Sequence, residues 1–298
     1  MKIKIGTRGS KLALTQTNMV KDMIEDANPD VSCEVVVITT KGDVDLKNPI
    51  HKVGKGVFVK EIEDSLLRGD IDLAVHSMKD MPSEETEGLM FFDPPKAEDA
   101  RDVLISSKKI EKISEIESGI VGTGSLRRKL QLETMCPNIS TTSIRGNIET
   151  RMSKVGEEGI VGVVLAYAGI LRGGYGDKVS YVFDKSEIVP SACQGILAIQ
   201  GRRNDEKVLE IVSKIRDEET TVRMNIERAF QRELNAGCHS PMGFNAEVDL
   251  KTGEAILRAC FGDESKNILL KKSMCVKISE AEDAAKNIAR EFKDEIGK

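Results

Sequence analysis

Four arginines lie close together in the middle of the chain, in two runs that each begin with small or polar residues. Arg127 and Arg128 follow Gly-Thr-Gly-Ser-Leu, while Arg145 and Arg151 belong to Ile-Arg-Gly-Asn-Ile-Glu-Thr-Arg. In both runs the residue types predict an N-cap followed by a helix. Helix starts with unpaired backbone N–H groups and nearby guanidinium groups are suited to carboxylates or phosphates. The two runs therefore predict a polyanion site.

The alternative is that these arginines lie on solvated helix faces and pair with neighbouring acids. Glu133, Glu149 and Glu157 are close enough in sequence for such pairs, and most charged side chains of proteins are exposed. However, Ser125 and Asn147 are both good N-caps, and each is followed by apolar residues at helical spacing. Two capped helix starts that together carry four arginines favour the polyanion site.

The composition disfavours a nucleic acid as the anion. The 298 residues include 44 basic and 49 acidic side chains, for a net charge of −5, and they contain no Trp and only 4% aromatic residues. Base-stacking platforms are therefore scarce, and the overall charge opposes binding to a phosphate backbone. No phosphate-binding glycine loop in the required frame is present. A small, carboxylate-rich ligand in a cleft fits better.

A second chemical feature is the run Ala-Val-His-Ser-Met-Lys-Asp-Met-Pro, in which a buried strand becomes a loop. Ser77, Lys79 and Asp80 are its polar residues, and Pro82 prevents the strand from continuing. A carboxylate is a poor choice for binding an anion, so Asp80 makes more sense if positive charge develops on the substrate during a reaction. An ordinary loop Asp paired with Lys79 or an arginine explains the spacing equally well.

A third feature is Cys238, which lies in Ala-Gly-Cys-His-Ser-Pro-Met-Gly. Most lone cysteines are small buried apolar residues, but a cysteine on a Gly/Pro turn is more exposed and can act as a thiolate. The six cysteines include no Cys-x-x-Cys pair and the three histidines do not cluster. A disulfide framework, a metal site and a cysteine hydrolase are therefore not predicted.

Strands and helices must alternate to position these residues. A strand at residues 2–6, a helix capped by Ser10, a strand at residues 33–40, a helix that includes Phe58 and stops at Gly69, and a strand at residues 71–76 give the order β-α-β-α-β. The order restarts after residue 95, with strands at residues 103–106, 120–122 and 160–168. This alternation predicts two α/β lobes with mostly parallel sheets covered by helices around a cleft. Past residue 220 one helix, three strands and a final helix predict a small α+β domain. The N-terminal residues are charged and strand-like, and no apolar run is of membrane-spanning length. We expect a cytoplasmic protein with no membrane partner.

Six runs of the chain resemble the hydroxymethylbilane synthase family, also called porphobilinogen deaminases. They are residues 6–14, 54–61, 72–82, 122–128, 145–151 and 237–243, and they follow the family's order and spacing. The resemblance implies an enzyme that condenses four porphobilinogen molecules, with loss of ammonia, onto a covalently bound dipyrromethane primer. Hydrolysis then releases the linear tetrapyrrole 1-hydroxymethylbilane. It also implies a monomer.

The resemblance assigns roles residue by residue. Cys238 matches the cysteine that holds the dipyrromethane through a thioether, and Asp80 matches the catalytic carboxylate. The other residues expected at the cofactor are Lys79, Thr123, Ser125, Arg127, Arg128, Arg145 and Gly146. Those expected at the substrate are Arg8, Ser10, Ser77, Arg145, Arg151, Arg172 and Gln194.

The family fold also implies a discontinuous first domain, formed by residues 1–95 and 196–214. Domain 2 would span 96–195 and carry the arginines, and domain 3 would span 216–298 and carry Cys238. Two positions depart from the family pattern: Cys193 stands where glycine is commoner, and Gln200 replaces a usual Glu. The main alternative function is a non-catalytic, two-lobed carboxylate-binding protein, which would need neither the third domain nor Cys238. A polyanion-binding regulator, a weaker alternative, would need a basic surface.

Overall fold

A computed structural model describes residues 1–40, 59–116, 118–235, 240–266 and 268–297. These residues form two compact units. Unit 1 comprises Met1–Ala97 and Ile196–Val222, and unit 2 comprises Glu98–Gly195 and Arg223–Lys298. The division into three domains stays a prediction.

Strands and helices alternate along most of the described chain. In order they are β1 (Lys2–Thr7), α1 (Lys11–Ala27), β2 (Ser32–Val37), α2 (Lys60–Arg68), β3 (Leu73–Ser77), β4 (Leu89–Phe92), β5 (Asp102–Ser106), β6 (Gly119–Gly122), α3 (Leu126–Met135), β7 (Ile139–Thr142), α4 (Ile148–Met152), β8 (Ile160–Ala166), α5 (Tyr167–Arg172), β9 (Tyr181–Val182), β10 (Leu197–Arg202), α6 (Glu206–Ser213), α7 (Glu218–Leu234), β11 (Met242–Asp249), β12 (Glu254–Asp263), β13 (Ile268–Lys277) and α8 (Ile278–Gly297).

The sheet of unit 1 has the strand order β2-β1-β3-β10-β4. β1 is parallel to β2 and β3, while β10 is antiparallel to both β3 and β4, so four strands run one way and only β10 runs the other. Ile3 and Ile5 of β1 are fully buried with Val20 and Ile24 of α1. Alternate residues of β1 point to the same face of the sheet, and α1 packs against that face.

Unit 2 contains a second mixed sheet, in the order β7-β6-β8-β5-β9. β6 is parallel to β7 and β8, and β5 is antiparallel to β8 and β9, so four strands again share one direction. Val163 and Leu165 of β8 face one buried cluster, and Val164 faces another. Both faces of β8 are therefore covered, as expected for a central strand of an α/β sheet. The predicted α/β fold class with mostly parallel sheets is confirmed.

The remainder of unit 2 is an antiparallel sheet, β11-β12-β13, with helices α7 and α8. Phe230 of α7 stacks on Phe244 of β11 with ring centroids 4.4 Å apart. Phe292 of α8 meets Phe230 edge-on at 6.5 Å. These three aromatic side chains hold both helices against one face of the sheet, so the predicted small α+β region is confirmed.

Capping residues in the sequence correctly predicted where helices begin and end. Ser10 caps α1, since its Oγ accepts a hydrogen bond from the backbone N–H of Ala13 at 3.3 Å. Gly69 ends α2 in the left-handed conformation with φ of 77°, which glycine adopts without steric cost. Phe58, predicted in this helix, lies outside the described residues. None of the described helices is both long and apolar enough to cross a membrane.

Candidate functional site

Arg8 and Asp80 lie at the same edge of the sheet in unit 1. β1 and β3 are parallel neighbours, with Gly6 opposite Ala74, so the residues that follow both strands emerge together. Burial lowers the pKa of His76, at the end of β3, to about 4, and the charge of Arg8 adds to this effect. The predicted Arg8 and the loop that carries Asp80 are therefore brought together.

The turn that carries Asp80 is firmly anchored. Met78–Asp80 forms a 3-10 turn in which the N–H of Met78 donates to the carbonyl of Ile196 at 3.0 Å. Met78 is fully buried and Met81 is 4% exposed, whereas Asp80 is exposed. Lys79 is half-buried beside it. The turn thus holds its backbone in the core while Asp80 itself is exposed, and the catalytic role of Asp80 stays a prediction.

Ser77 has a partner that the sequence did not indicate. Gln16 of α1 is 4% exposed, and its Nε2 donates to the Oγ of Ser77 at 3.0 Å. Ser10 uses its own Oγ as the cap of α1. Ser77 therefore links the end of β3 to α1, while Ser10 stabilises the start of α1. The predicted contacts of both serines with substrate stay predictions.

The predicted residues of unit 2 follow three parallel neighbouring strands. Thr123 and Ser125 follow β6, Arg145 and Gly146 follow β7, and α5, which ends at Arg172, follows β8. Because the carboxyl ends of parallel strands meet at one edge of a sheet, these segments converge there. The edge combines backbone N–H groups, hydroxyls and guanidinium groups, all of which bind carboxylates.

The loop after β6 is built around Thr123 and Ser125. The N–H of Thr123 donates to the carbonyl of Thr142 at 2.9 Å, and the N–H of Ser125 donates to Thr123 Oγ1 at 3.3 Å. Ser125 caps α3, as predicted, by accepting from the N–H of Arg128 at 3.5 Å. A Cβ on Gly124 would lie 3.0 Å from the Ile144 carbonyl oxygen, so glycine permits this close approach.

Arg127 and Arg128 are buried and share one carboxylate. Their exposed fractions are 4% and 6%, and Asp102, at the start of β5, is fully buried. Arg127 Nη1 donates to Asp102 Oδ2 at 2.7 Å, and Arg128 Nη2 donates to Asp102 Oδ1 at 2.8 Å. Glu133, the alternative partner, instead accepts from the Thr141 hydroxyl at 2.7 Å. The two arginines are therefore not surface charges.

Arg145 and Arg151 flank the predicted N-cap Asn147. Asn147 Oδ1 accepts from the N–H of Thr150 at 2.8 Å, which confirms the cap. Arg151 Nε donates to the Gly146 carbonyl at 2.8 Å, and Arg145 is exposed. Gly146 has φ of 108°, a conformation that L side chains rarely adopt.

Arg172 contacts the backbone at the end of the first segment of unit 2, and Gln194 contacts the backbone near its start. Arg172 Nη2 donates to the Gly195 carbonyl at 2.6 Å. Burial lowers the pKa of Arg172 to about 10, although the negative charge of Glu98 acts to raise it. Gln194 is fully buried, and its Nε2 donates to the Ala100 carbonyl at 2.6 Å and to Asp102 Oδ1 at 2.8 Å. Their predicted substrate contacts stay predictions.

Cys238, the predicted attachment point, lies outside the described residues. The helix before it, α7, ends at Leu234, and the strand after it, β11, begins at Met242.

Sequence reasoning missed Asp102 and Gln16. Asp102 opens the apolar run Val-Leu-Ile of β5, and a carboxylate at the head of a buried strand is a signal that it is paired. Its partners, however, lie about 25 residues further along the chain. Gln16 occupies a buried position on the apolar stripe of α1, where a polar residue similarly indicates a specific contact.

Comparison with known proteins matches nearly the whole chain. Residues 3–210 match the family model "Porphobilinogen deaminase, dipyromethane cofactor binding domain", and residues 221–294 match "Porphobilinogen deaminase, C-terminal domain". The porphobilinogen deaminase of Clostridium novyi is 44% identical, with 99% of this chain and 100% of that protein covered. That of Clostridioides difficile is 42% identical, with 91% and 90% covered.

Among solved structures, immunogenic lipoprotein A of Vibrio vulnificus matches with a TM-score of 0.45 and 12% identity, over 73% of this chain and 96% of that protein. A likeness at this level carries no functional argument.

The two family models account for both the arginine-rich region and the C-terminal region, and they support an enzyme over a non-catalytic carboxylate-binding protein. The chain therefore belongs to the porphobilinogen deaminase family and is a transferase with a dipyrromethane cofactor-binding domain.

Proposed function

We propose that this chain joins four porphobilinogen molecules, with loss of one ammonia at each addition, and releases 1-hydroxymethylbilane by hydrolysis. The observation that supports this most directly is the pair of buried arginines on Asp102, in the region that matches the cofactor-binding domain. Porphobilinogen carries an acetate, a propionate and an aminomethyl group, so both substrate and product are rich in carboxylates.

The residues at the carboxyl edge of the unit 2 sheet fit a dipyrromethane. Arg127 and Arg128 both bind Asp102, in the region that matches the cofactor-binding domain. Guanidinium groups bind carboxylates through charge-assisted hydrogen bonds, so we assign both arginines to the carboxylates of the cofactor. Thr123 and Ser125 add hydroxyls and backbone donors nearby. When bound, the dipyrromethane supplies the pyrrole carbon that the first substrate joins.

The attachment through Cys238 is also part of the proposal. A thioether suits a primer that must stay on the chain, because water does not readily hydrolyse it. The cysteine follows α7 and precedes β11, so the linkage would tie the cofactor to the C-terminal region. Lys79 of the Asp80 turn and Gly146 with Arg145 of unit 2 are the further residues that we assign to cofactor binding.

Asp80 is proposed as the catalytic carboxylate. When the aminomethyl nitrogen of porphobilinogen leaves as ammonia, positive charge develops on the remaining pyrrole. An exposed carboxylate on an anchored turn can stabilise that charge and accept a hydrogen bond from the pyrrole N–H. The anchoring by Met78 keeps the carboxylate in place during several successive additions.

The remaining arginines are proposed to bind the substrate and the growing chain. Arg8 emerges beside the Asp80 turn in unit 1, and Arg145, Arg151 and Arg172 emerge at the carboxyl edge of the unit 2 sheet. A charge-assisted hydrogen bond to a carboxylate contributes about 1.5–3 kcal/mol. Ser10, Ser77 and Gln194 are the neutral residues that we assign to the same ligands. We further propose that the protein acts as a cytoplasmic monomer.

The experiment that tests this function measures porphobilinogen consumption and tetrapyrrole formation by the wild type and by Asp80→Asn. We expect the turnover rate of Asp80→Asn to be roughly 10²–10⁴-fold lower than that of the wild type, because asparagine keeps the shape of the side chain but removes its charge. Asp70→Asn, a second exposed aspartate of unit 1, serves as the control and should keep the wild-type rate. Near-normal turnover by Asp80→Asn would show that Asp80 is not the catalytic group.

A further inference from the structure

A buried amide on α3 pairs with the backbone of the segment that follows β9. Gln131 is fully buried. Its Oε1 accepts a hydrogen bond from the N–H of Val189 at 2.8 Å, and its Nε2 donates to the Val189 carbonyl at 3.2 Å. The Gln131 side chain therefore binds both backbone groups of Val189, as a neighbouring strand would. Buried polar groups that make all of these hydrogen bonds hold their surroundings rigidly.

The carbonyl of Val189 also reaches the arginine-rich start of α3. It accepts a hydrogen bond from Arg127 Nη1 at 2.6 Å. Gln131 Nε2 donates in addition to the carbonyl of Arg127 at 3.2 Å. Gln131 thus contacts the backbone of Arg127 directly and its guanidinium group through Val189. A shift of Val189 would move an acceptor of that guanidinium group.

Pro190, the next residue, holds the strand that follows Cys238, and we refer to Val189 and Pro190 as the bridge segment. The Pro190 carbonyl accepts a hydrogen bond from the N–H of Phe244 in β11 at 2.9 Å. Gly243, five residues after Cys238, permits this contact. A Cβ on Gly243 would lie 2.8 Å from the carbonyl oxygen of Val189 and 2.9 Å from that of Pro190, which is too close for a side chain. β11 can therefore lie against the bridge segment because residue 243 is glycine.

We propose that Gln131 is a positioning residue for the dipyrromethane. It fixes the bridge segment, and the bridge segment sets the spacing between Arg127 on α3 and the strand that follows the attachment cysteine. The cofactor depends on both, since Cys238 would carry its covalent bond and Arg127 would bind one of its carboxylates. This inference rests on the proposed function. It adds that a buried amide acts on cofactor binding through the backbone segment that it holds.

A purely structural role for Gln131 makes a different prediction. If Gln131 only supported the fold, its replacement would lower the thermal midpoints of loaded and unloaded protein by equal amounts. If it sets the spacing, its replacement costs the same local contacts in both states and, in the loaded protein alone, part of the cofactor's contribution. Weaker cofactor binding then goes together with a smaller stabilisation by cofactor, because a ligand stabilises the folded state according to its affinity for that state.

The test uses Gln131→Met, which keeps the length of the side chain but removes the amide, in the full-length chain with and without Cys238→Ser. The Cys238→Ser background provides unloaded protein, and its own effect on stability cancels when wild type and variant are compared. Intact-mass spectra give the loaded fraction. The midpoint gap is the thermal midpoint of loaded protein minus that of unloaded protein.

For Gln131→Met we expect the loaded fraction to fall below that of wild type and the midpoint gap to narrow. The gap should narrow by about 2–4 °C, the shift that the loss of one ordinary hydrogen bond produces in a protein of this size. A Gln131→Met protein that loads like wild type and keeps the wild-type gap would overturn the inference.

Thr134→Val is the matched control. Thr134 lies on the same helix, and its Oγ1 donates to the Leu130 carbonyl at 2.7 Å. Its replacement therefore also removes a hydrogen bond from a side chain of α3 to the backbone, but this bond does not involve the bridge segment. Thr134→Val should keep both the loaded fraction and the midpoint gap of wild type.

Gly243→Ala tests the same inference from the other side of the bridge segment and decides it if Gln131→Met does not fold. The added Cβ pushes β11 away from the two carbonyls of the bridge segment, so the loaded fraction should fall and the gap should narrow here too. If the wild type itself carries no added mass, the proposed function fails. If the wild type is loaded and Gly243→Ala keeps its loading and its gap, the inference alone fails.

Discussion

Glu227 of α7 holds together three segments of unit 2, and its removal should destabilise that unit strongly. The side chain is fully buried. Its Oε1 accepts from Arg223 Nε at 2.8 Å, from Asn245 Nδ2 at 3.1 Å and from the N–H of Ala246 at 2.9 Å. Its Oε2 accepts from the N–H of Cys193. The donors come from α7 itself, from β11 and from the segment before Gly195.

Glu227→Ala leaves all four donors without this acceptor, and one of them carries a positive charge. Removal of one partner from a buried ion pair costs about 3–5 kcal/mol. Unpaired buried donors would add about 1–3 kcal/mol each, but water that enters the space left by the side chain offsets much of that. We therefore expect a loss of about 4 kcal/mol in the free energy of unfolding. For a unit of this size, that corresponds to about 8–16 °C in the unfolding midpoint.

Differential scanning calorimetry of the purified chain measures this change directly. Glu233→Ala is the control, because Glu233 lies on the same helix and pairs with Arg290 at 3.0 Å on the exposed surface. Its midpoint should stay near that of the wild type, since exposed pairs contribute little. If the two variants had similar midpoints, the buried carboxylate would not hold these segments together and the reasoning would be refuted.

Two further predictions concern single buried residues. Cys193 has φ of 60° and is fully buried. Cys193→Val should lower the thermal midpoint far more than Cys193→Gly, because a β-branched residue tolerates a positive φ worst. Equal midpoints of the two variants would contradict this prediction. Burial and the charge of Arg8 lower the pKa of His76 to about 4 in the folded chain. Between about pH 6.5 and 4 the unfolded chain therefore binds more protons than the folded chain, so the free energy of unfolding falls as the pH falls. Urea unfolding at pH 7 and 5 should show the wild type losing about 2 kcal/mol more than His76→Gln, and equal losses would contradict the burial of a neutral His76.

The sequence predicted those parts of the fold that depend on near neighbours in the chain. Ser10, Ser125 and Asn147 cap their helices as expected, and Gly69 ends α2, because a cap depends on residues only two or three positions away. The strands with long apolar runs, such as β8, were also found.

Elements that are specified by distant pairing were missed. β4, β7, β9 and β10 were not predicted, and β10 pairs with strands more than one hundred residues earlier in the chain. β9 has only two residues, too few for a recognisable pattern. Helix α6 was also missed.

In the candidate site, too, features that depend on near neighbours were predicted and contacts between distant residues were not. The residue types at the carboxyl edges predicted an arginine-rich anion site, but not that Arg127 and Arg128 would be buried on Asp102. An ion pair between side chains about 25 residues apart depends on the register of β5 and β8, which a single sequence does not reveal. The unusual Cys193 has a clearer explanation, since its positive φ is the conformation for which glycine is suited. Gln200 Nε2 donates to Glu63 Oε1 at 2.8 Å, so an amide here has a specific partner.

An intact-mass spectrum of the freshly purified chain, followed by peptide mapping, tests the central claim most directly. The account predicts that the wild type is heavier than its sequence by one dipyrromethane and that the added mass maps to Cys238. Cys238→Ser should lose both the added mass and the formation of tetrapyrrole, whereas Cys275→Ser, which removes an exposed thiol, should keep both. A wild type that makes 1-hydroxymethylbilane without any added mass, or an active Cys238→Ser, would contradict the account.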